Sequence, residues 1–173
     1  MKKNWIKYIV TFVFAMLMRL LPFRAPNIEP LMAIQMPFAK VYGWFSAFVF
    51  GVLSIVLYDM VTSGLGVWTF ITALAYGLLG ISSFAFLKNK SSRSSYVLFA
   101  VVGTILYDAL TGLTLGPIFF GQSFSSAFFG QIPFTMLHLL GNVSFAIVLS
   151  PAIEKWLVKE SQVSVVESVP LKA

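Results

Sequence analysis

Cysteine is absent from this chain of 173 residues, histidine occurs once, and charged side chains make up only 10% of it. Without cysteine there is no disulfide and no thiolate metal site. A single histidine with six acidic residues leaves too few donors for a metal centre, so none is expected. So little charge excludes an ordinary soluble domain, in which about a quarter of the residues are charged. No P-loop, dinucleotide fingerprint, paired acidic motif or Gly-x-Ser-x-Gly context occurs. The chain is therefore not read as an enzyme, and no cofactor is expected. What fills the sequence instead is hydrophobic residues, 58% of the total, with a mean hydropathy of +0.88.

The apolar residues fall into six runs, at about 5–22, 30–42, 43–60, 67–87, 96–113 and 132–157. Breaks rich in proline, glycine or charge separate them, the clearest being KNKSSRSS at 88–95. At ~1.5 Å of rise per residue, about 20 residues cross a hydrocarbon core of ~30 Å. The pattern predicts an all-α integral membrane bundle of about six transmembrane helices. A single domain would span 1–158, with a disordered cytoplasmic tail over 159–173. The piece LMAIQMPFA (31–39) is too short to cross alone, and is expected to be extended, tilted or partly re-entrant. The N-terminus has the basic start and apolar run of a secretory signal. It lacks a small-x-small cleavage site, and Arg19 interrupts the run, so a retained first helix is expected.

The net charge of +6 follows from this layout rather than from nucleic acid, which is not expected as a partner. Six crossings from a cytoplasmic N-terminus place Lys2, Lys3, Lys7, Lys40, Lys88, Lys90, Arg93, Lys155, Lys159 and Lys172 on the cytoplasmic side. Only Arg19 and Arg24 fall outside. Both termini are thus expected in the cytoplasm of a multi-pass protein of the cell membrane.

The last run, IPFTMLHLLGNVSFAIVLSPAIEKW, holds His138 with Asn142 four residues on, on one helical face, flanked by Phe134 and Phe145. A polar pair at membrane depth is expensive unless it has partners. His138 is read either as a ligand contact or as interhelical glue, on the order of 9 Å into a helix starting at Ile132. Arg19 either snorkels to the headgroups or pairs with Asp59, Asp108 or an anionic ligand. Arg24 and Glu29 lie in a Pro-rich loop that either folds over an outer cavity or is a solvated connection. In the stretch 113–133, Gln122, Gln131 and three serines alternate with five phenylalanines. That composition fits an outer lid over an aromatic ligand or an amphipathic interfacial helix.

An internal echo joins two of these runs. Leu57-Tyr58-Asp59-x-x-Thr62 recurs as Leu106-Tyr107-Asp108-x-x-Thr111, each read as ending a membrane segment before a Gly-rich turn. Tyrosine and carboxylate are ordinary interfacial anchors, so either aspartate is structural or at least one faces a ligand. Small residues four apart, at Gly43, Ala47 and Gly51 and again at Ala73, Gly77 and nearby Gly80, mark close helix approaches. Packing within the bundle is the favoured reading of both stripes, with docking to another membrane subunit as the alternative.

The basic start, six short apolar segments, Pro-containing first loop and following short helix (Pro26–Pro37), the Gly-rich third segment ending in Tyr58-Asp59 and the final IPFTMLHLLGN resemble the substrate-binding S components of energy-coupling factor (ECF) vitamin transporters. The resemblance covers about residues 5–157. It implies a protein that captures a vitamin or related micronutrient from outside. The ligand would then pass to a module of one transmembrane coupling subunit and two cytoplasmic ATPases. It further implies a site under the first, third and fifth loops, drawing on Arg24, Asp59, Asp108, Gln122, Gln131 and Phe134 and converging on His138 and Asn142. Where many members carry Ala-x-x-x-Ala in the first helix, this chain reads Ala15-x-x-x-Arg19. Docking through the Gly43/Ala47/Gly51 face is the alternative. Phenylalanines, one histidine and amides suit a planar heteroaromatic or corrinoid-precursor-like ligand. The rival readings are a stand-alone proton-coupled permease and a non-transporting membrane scaffold.

Overall fold

The computed structural model describes residues 5–23, 27–90 and 92–166, with side chains as far as residue 158. These residues form six α-helices: α1 (Trp5–Arg19), α2 (Leu31–Tyr42), α3 (Trp44–Val61), α4 (Val67–Leu87), α5 (Arg93–Phe119) and α6 (Phe124–Val166). No strand occurs among them. Helices α3 and α4, with long stretches of α5 and α6, are long and apolar enough to cross a membrane. Large apolar side chains such as Ile6, Phe70, Leu106 and Val148 point outward along the helices. The fold is all-helical and compatible with a helical membrane bundle.

The shortest helix sits at the centre. From Leu31 to Ala39 every residue of α2 is buried, and most have no exposure at all. A helix apolar all round belongs in an interior. Its sides feed two clusters. Leu31, Ile34, Phe38 and Tyr42 pack with Phe50, Tyr76, Ile153 and Leu157, while Met32 and Met36 pack with Leu79, Tyr96, Phe99 and Ala146. The segment that looked too short to cross is thus the core around which the other five helices are arranged.

Burying a helix on all sides requires its polar atoms to find partners within protein. Gln35, the one amide on α2, donates to the backbone carbonyls of Ala47 on α3 and Tyr76 on α4, both at 3.0 Å. Pro37 has no N–H, so the Ala33 carbonyl four residues earlier loses its helical donor. Ser150 Oγ of α6 donates to that carbonyl instead, at 2.7 Å. The glycine stripe is used here as well. A Cβ on Gly51 would stand 2.6 Å from the Tyr76 carbonyl oxygen, and one on Gly80 2.5 Å from that of Ala47. Ala47 and Gly51 are consumed by the α3–α4 crossing over Gln35, and that part of the stripe is not open for docking.

The connections fix which ends meet. Gly43 alone joins α2 to α3, at φ +91°, a conformation that side chains with a Cβ rarely adopt. Because successive helices reverse direction, the end of α1, the start of α2, the end of α3 and the upper parts of α5 and α6 lie together. At the opposite end, Lys40 pairs with Glu154, Tyr96 donates to Glu154 at 2.8 Å, and Lys7 donates to the Trp156 carbonyl at 2.7 Å.

Two boundaries differ from the sequence reading. Helix α5 continues to Phe119, because Gly112 and Gly116 are accommodated within it and the chain reverses only at Phe120–Ser123, through Gly121 at φ +65°. Helix α6 then starts at Phe124, so the stretch 113–131 is the tip of a helical hairpin. His138 lies fourteen residues, or about 21 Å, from the α6 N-terminus, rather than about 9 Å. The tail 159–173 is helical in backbone to Val166, and 167–173 lie outside the described residues.

Candidate functional site

A cavity of about 340 Å³ opens between five segments: Arg19 from α1, Asn27 and Glu29 from the α1–α2 loop, Tyr58 from α3, Tyr107 from α5, and Phe134 and His138 from α6. The loop can lie close on α6 because Gly141 has no side chain. A Cβ there would stand 2.9 Å from Ile28 Cα.

One wall is built around Arg19. Its Nε donates to Glu29 Oε2 at 2.9 Å, and its NH1 donates to the Ser54 carbonyl at 2.8 Å. The guanidinium lies 4.1 Å from the Tyr58 ring centroid, within cation–π range. Arg19 is therefore held inside the protein with Glu29 as its ion-pair partner, where the sequence reading offered Asp59, Asp108, a ligand or snorkelling.

The other wall is built around His138, which is buried. Its Nδ1 lies 2.8 Å from Asp108 Oδ1. Which of the two donates in this bond is set by the imidazole tautomer and the state of the carboxyl group. Tyr107 and Phe134 meet the imidazole edge-on, at centroid distances of 6.0 and 5.9 Å. One turn deeper, Asn142 Nδ2 donates to Thr104 Oγ1 at 2.8 Å, and Thr104 in turn donates to Met32 Sδ at 3.9 Å. Thr104 stands four residues before Asp108, just as Asn142 stands four after His138, so α5 and α6 meet through two polar rungs one turn apart.

These rungs are half satisfied. Asp108 Oδ2, His138 Nε2, Asn142 Oδ1 and the Tyr76 hydroxyl are buried and have no hydrogen-bond partner among the described residues. Each such atom costs roughly 1–3 kcal/mol if left dry. Tyr76 joins the others through its ring, which packs edge-on against Tyr107 at 4.9 Å. Unpartnered buried polar atoms beside a cavity are groups that a bound molecule or ordered water could satisfy.

Comparison with protein-family models, with curated proteins and with solved structures returned no match for this chain.

Of the residues singled out by sequence, His138, Asn142, Asp108 and Phe134 come together in this region. Asp59 is buried elsewhere, accepting from Thr69 Oγ1 at 2.6 Å in the α3–α4 turn. Gln122 is exposed at the hairpin tip and bonds to Ser126 at 3.4 Å. Gln131 bonds to Thr135 at 3.2 Å and lines a separate apolar groove between α5 and α6. Arg24 lies outside the described residues. Sequence reasoning missed Tyr107 as a cavity residue and Thr104 and Tyr76 altogether. For Thr104 the signal was its i−4 offset from Asp108. Among the described residues no group of three His, Cys, Asp or Glu side chains stands close enough to hold a metal ion.

Proposed function

We propose that this chain is a multi-pass protein of the cell membrane that captures a small, vitamin-type molecule from outside and delivers it to an ATP-driven ECF transport module, acting as its S component. One observation carries the capture step: a cavity of about 340 Å³ lined by His138, whose buried Nε2 has no hydrogen-bond partner among the described residues. That volume is at the small end of the range typical of small-molecule sites. The aromatic walls and the polar rungs behind them are the usual division of labour in such a site, the rings supplying contact area and the polar atoms orientation. The charge distribution supports a cavity that opens to the outside. Lys7, Lys40, Lys88 and Lys90 belong to the end opposite His138, as the positive-inside rule requires of a cytoplasmic face. In this reading ATP is hydrolysed by a partner, because no nucleotide-binding motif occurs in the sequence.

The test is mass spectrometry of small molecules released from detergent-purified protein. A stoichiometric micronutrient-like compound supports the reading and names the substrate. Absence of any compound, together with failure of the chain to associate with coupling and ATPase subunits, contradicts it.

The buried Asp108–His138 pair favours a second reading, a proton-coupled permease, since intramembrane carboxylate–imidazole pairs are suited to carrying protons. In that case uptake collapses with the proton gradient and proceeds without an ATPase partner.

A further inference from the structure

The α5–α6 hairpin carries a groove of about 320 Å³ that shares no lining residue with the His138 cavity. Ile105, Ala109 and Leu113, four apart, form its α5 side, and Phe128, Ile132 and Leu139 belong to its α6 side. The small side chain of Ala109, between two larger neighbours, leaves the depression. Gln131 and Thr135 are the polar residues lining it, and they bond to each other at 3.2 Å. Gln131 lies across α5 at Gly112, where a Cβ would overlap its amide. The remainder of the groove is apolar.

Helix geometry sets its depth. The Tyr76 and Tyr107 rings meet at 4.9 Å, so α4 and α5 are level there. From that point α4 extends nine residues back to Val67 and α5 twelve residues on to Phe119, ~14 and ~18 Å of rise. The hairpin tip thus stands within about one turn of the level at which α4 ends. The groove covers eight residues of α5, ~12 Å along the helix axis, and Leu113 at its upper end is six residues short of Phe119. A hydrocarbon core of ~30 Å gives each leaflet ~15 Å, so the groove lies within the leaflet on the cavity's side and runs along the direction of its chains.

Its surroundings suit lipid. Val102, Leu106 and Leu110 are exposed on α5, so the groove continues the apolar outer surface of a membrane-embedded protein. Above it, Gln122, Ser123, Ser125 and Ser126 are exposed at the tip. Between Asp108 and Glu154 no acidic or basic side chain occurs except His138. A second transmembrane helix fits poorly. Close helix contact calls for rows of small residues, whereas Ala109 alone is smaller than threonine here, and Phe128 and Met136 stand exposed along the groove.

We propose that this groove binds one acyl chain of a phospholipid in that leaflet, with the headgroup beside the 122–126 turn, whose hydroxyls and amide can donate to phosphate and ester oxygens. No charged side chain selects the headgroup, so retention is expected to be insensitive to salt. The proposal is independent of the capture reading.

Native mass spectrometry of the full chain, reconstituted in dioleoylphosphatidylcholine nanodiscs and then released, tests it. The wild type is expected to retain one phosphatidylcholine per chain, equally at low and high salt. Ala109→Phe, which fills the floor of the groove, is expected to lower that retention roughly tenfold. Leu106→Phe places the same ring on the exposed surface of α5 outside the groove and is expected to retain lipid as the wild type does. Ala109→Leu provides a second filling variant if Ala109→Phe folds poorly. A wild type free of lipid overturns the proposal, as does equal retention by the wild type and both filling variants. Equal loss from Leu106→Phe and Ala109→Phe overturns it too, because the contact is then not seated in the groove. So does loss at high salt, which would assign the binding to charge. A dimer that the filling variants dissolve gives the groove to a second copy and overturns it as well.

Discussion

The two copies of Leu-Tyr-Asp-x-x-Thr share a sequence pattern and diverge in what their tyrosines and aspartates do. In the first, α3 ends three residues after Tyr58, and Asp59 becomes the hub of the turn into α4. Its carboxylate accepts from Thr69, whose hydroxyl in turn accepts from the Gly66 N–H, and its carbonyl accepts from Gly64 N at 2.7 Å. A carboxylate beside the N-terminus of α4 also suits the helix dipole. In the second, α5 runs on past Thr111 to Phe119, so Asp108 sits inside a helix and faces α6, where His138 meets it. The tyrosines part in the same way. Tyr58 lies under Arg19, and Tyr107 packs between Tyr76 and His138. What separates the copies is the residues that follow, Ser63-Gly64-Leu65-Gly66 in one and Gly112-Leu113-Thr114-Leu115 in the other. Gly64, at φ +78°, stops the first helix, whereas Gly112 is absorbed by the second.

The largest effect should come from removing the partner that only the second copy has. Replacing His138 and Asn142 together by alanine is expected to weaken ligand binding more than tenfold, about 1.4 kcal/mol or more. Calorimetry on the purified variant checks this, and an affinity within twofold of the parent would put the ligand elsewhere. Asp59→Ala reverses the pattern. It strips Thr69 of its acceptor and is expected to lower stability by roughly 1–2 kcal/mol, read as a fall in melting temperature, with ligand affinity within twofold of the parent. Tyr58→Leu sharpens the contrast between the tyrosines. Losing the ring under Arg19 should cost about 0.5–2 kcal/mol of stability, while Arg19 keeps Glu29 and Ser54. Smallest of all, Thr62→Val and Thr111→Val should be nearly silent and nearly equal. Each hydroxyl merely bonds back to the tyrosine carbonyl four residues earlier, at 2.7 and 2.8 Å, a bond that adds little to a formed helix. Unequal melting temperatures for that pair would mean that one threonine has a role beyond its own helix.

Much of this was legible in the sequence. Long apolar runs between Pro, Gly and charged breaks mark α3 and α4 almost to the residue, and the four-residue spacing of His138 and Asn142 places both on the buried face of α6. Helix α2 was harder to read. Length argues against a crossing, and a twelve-residue helix becomes a core only when five neighbours enclose it, which no local pattern reveals. Its lone Gln35 was the available sign, since an amide in such a run needs acceptors on other helices. The echo misled because local identity was read as local equivalence. Whether a helix ends at Thr62 or passes Thr111 depends on the residues beyond the repeat, and whether an aspartate meets a histidine depends on a helix thirty residues away. The partner of Arg19 was similarly hidden, because Glu29 reaches it only once α2 turns inward after the Pro-rich loop.

The central claim is that Asp108, and not Asp59, belongs to a ligand site. Native mass spectrometry of the wild-type chain beside Asp59→Asn and Asp108→Asn tests it most directly, because both substitutions remove one charge with little change of shape. The account predicts a one-to-one small-molecule adduct on the wild type and on Asp59→Asn, and its loss from Asp108→Asn. An adduct that survives Asp108→Asn and disappears with Asp59→Asn would contradict it.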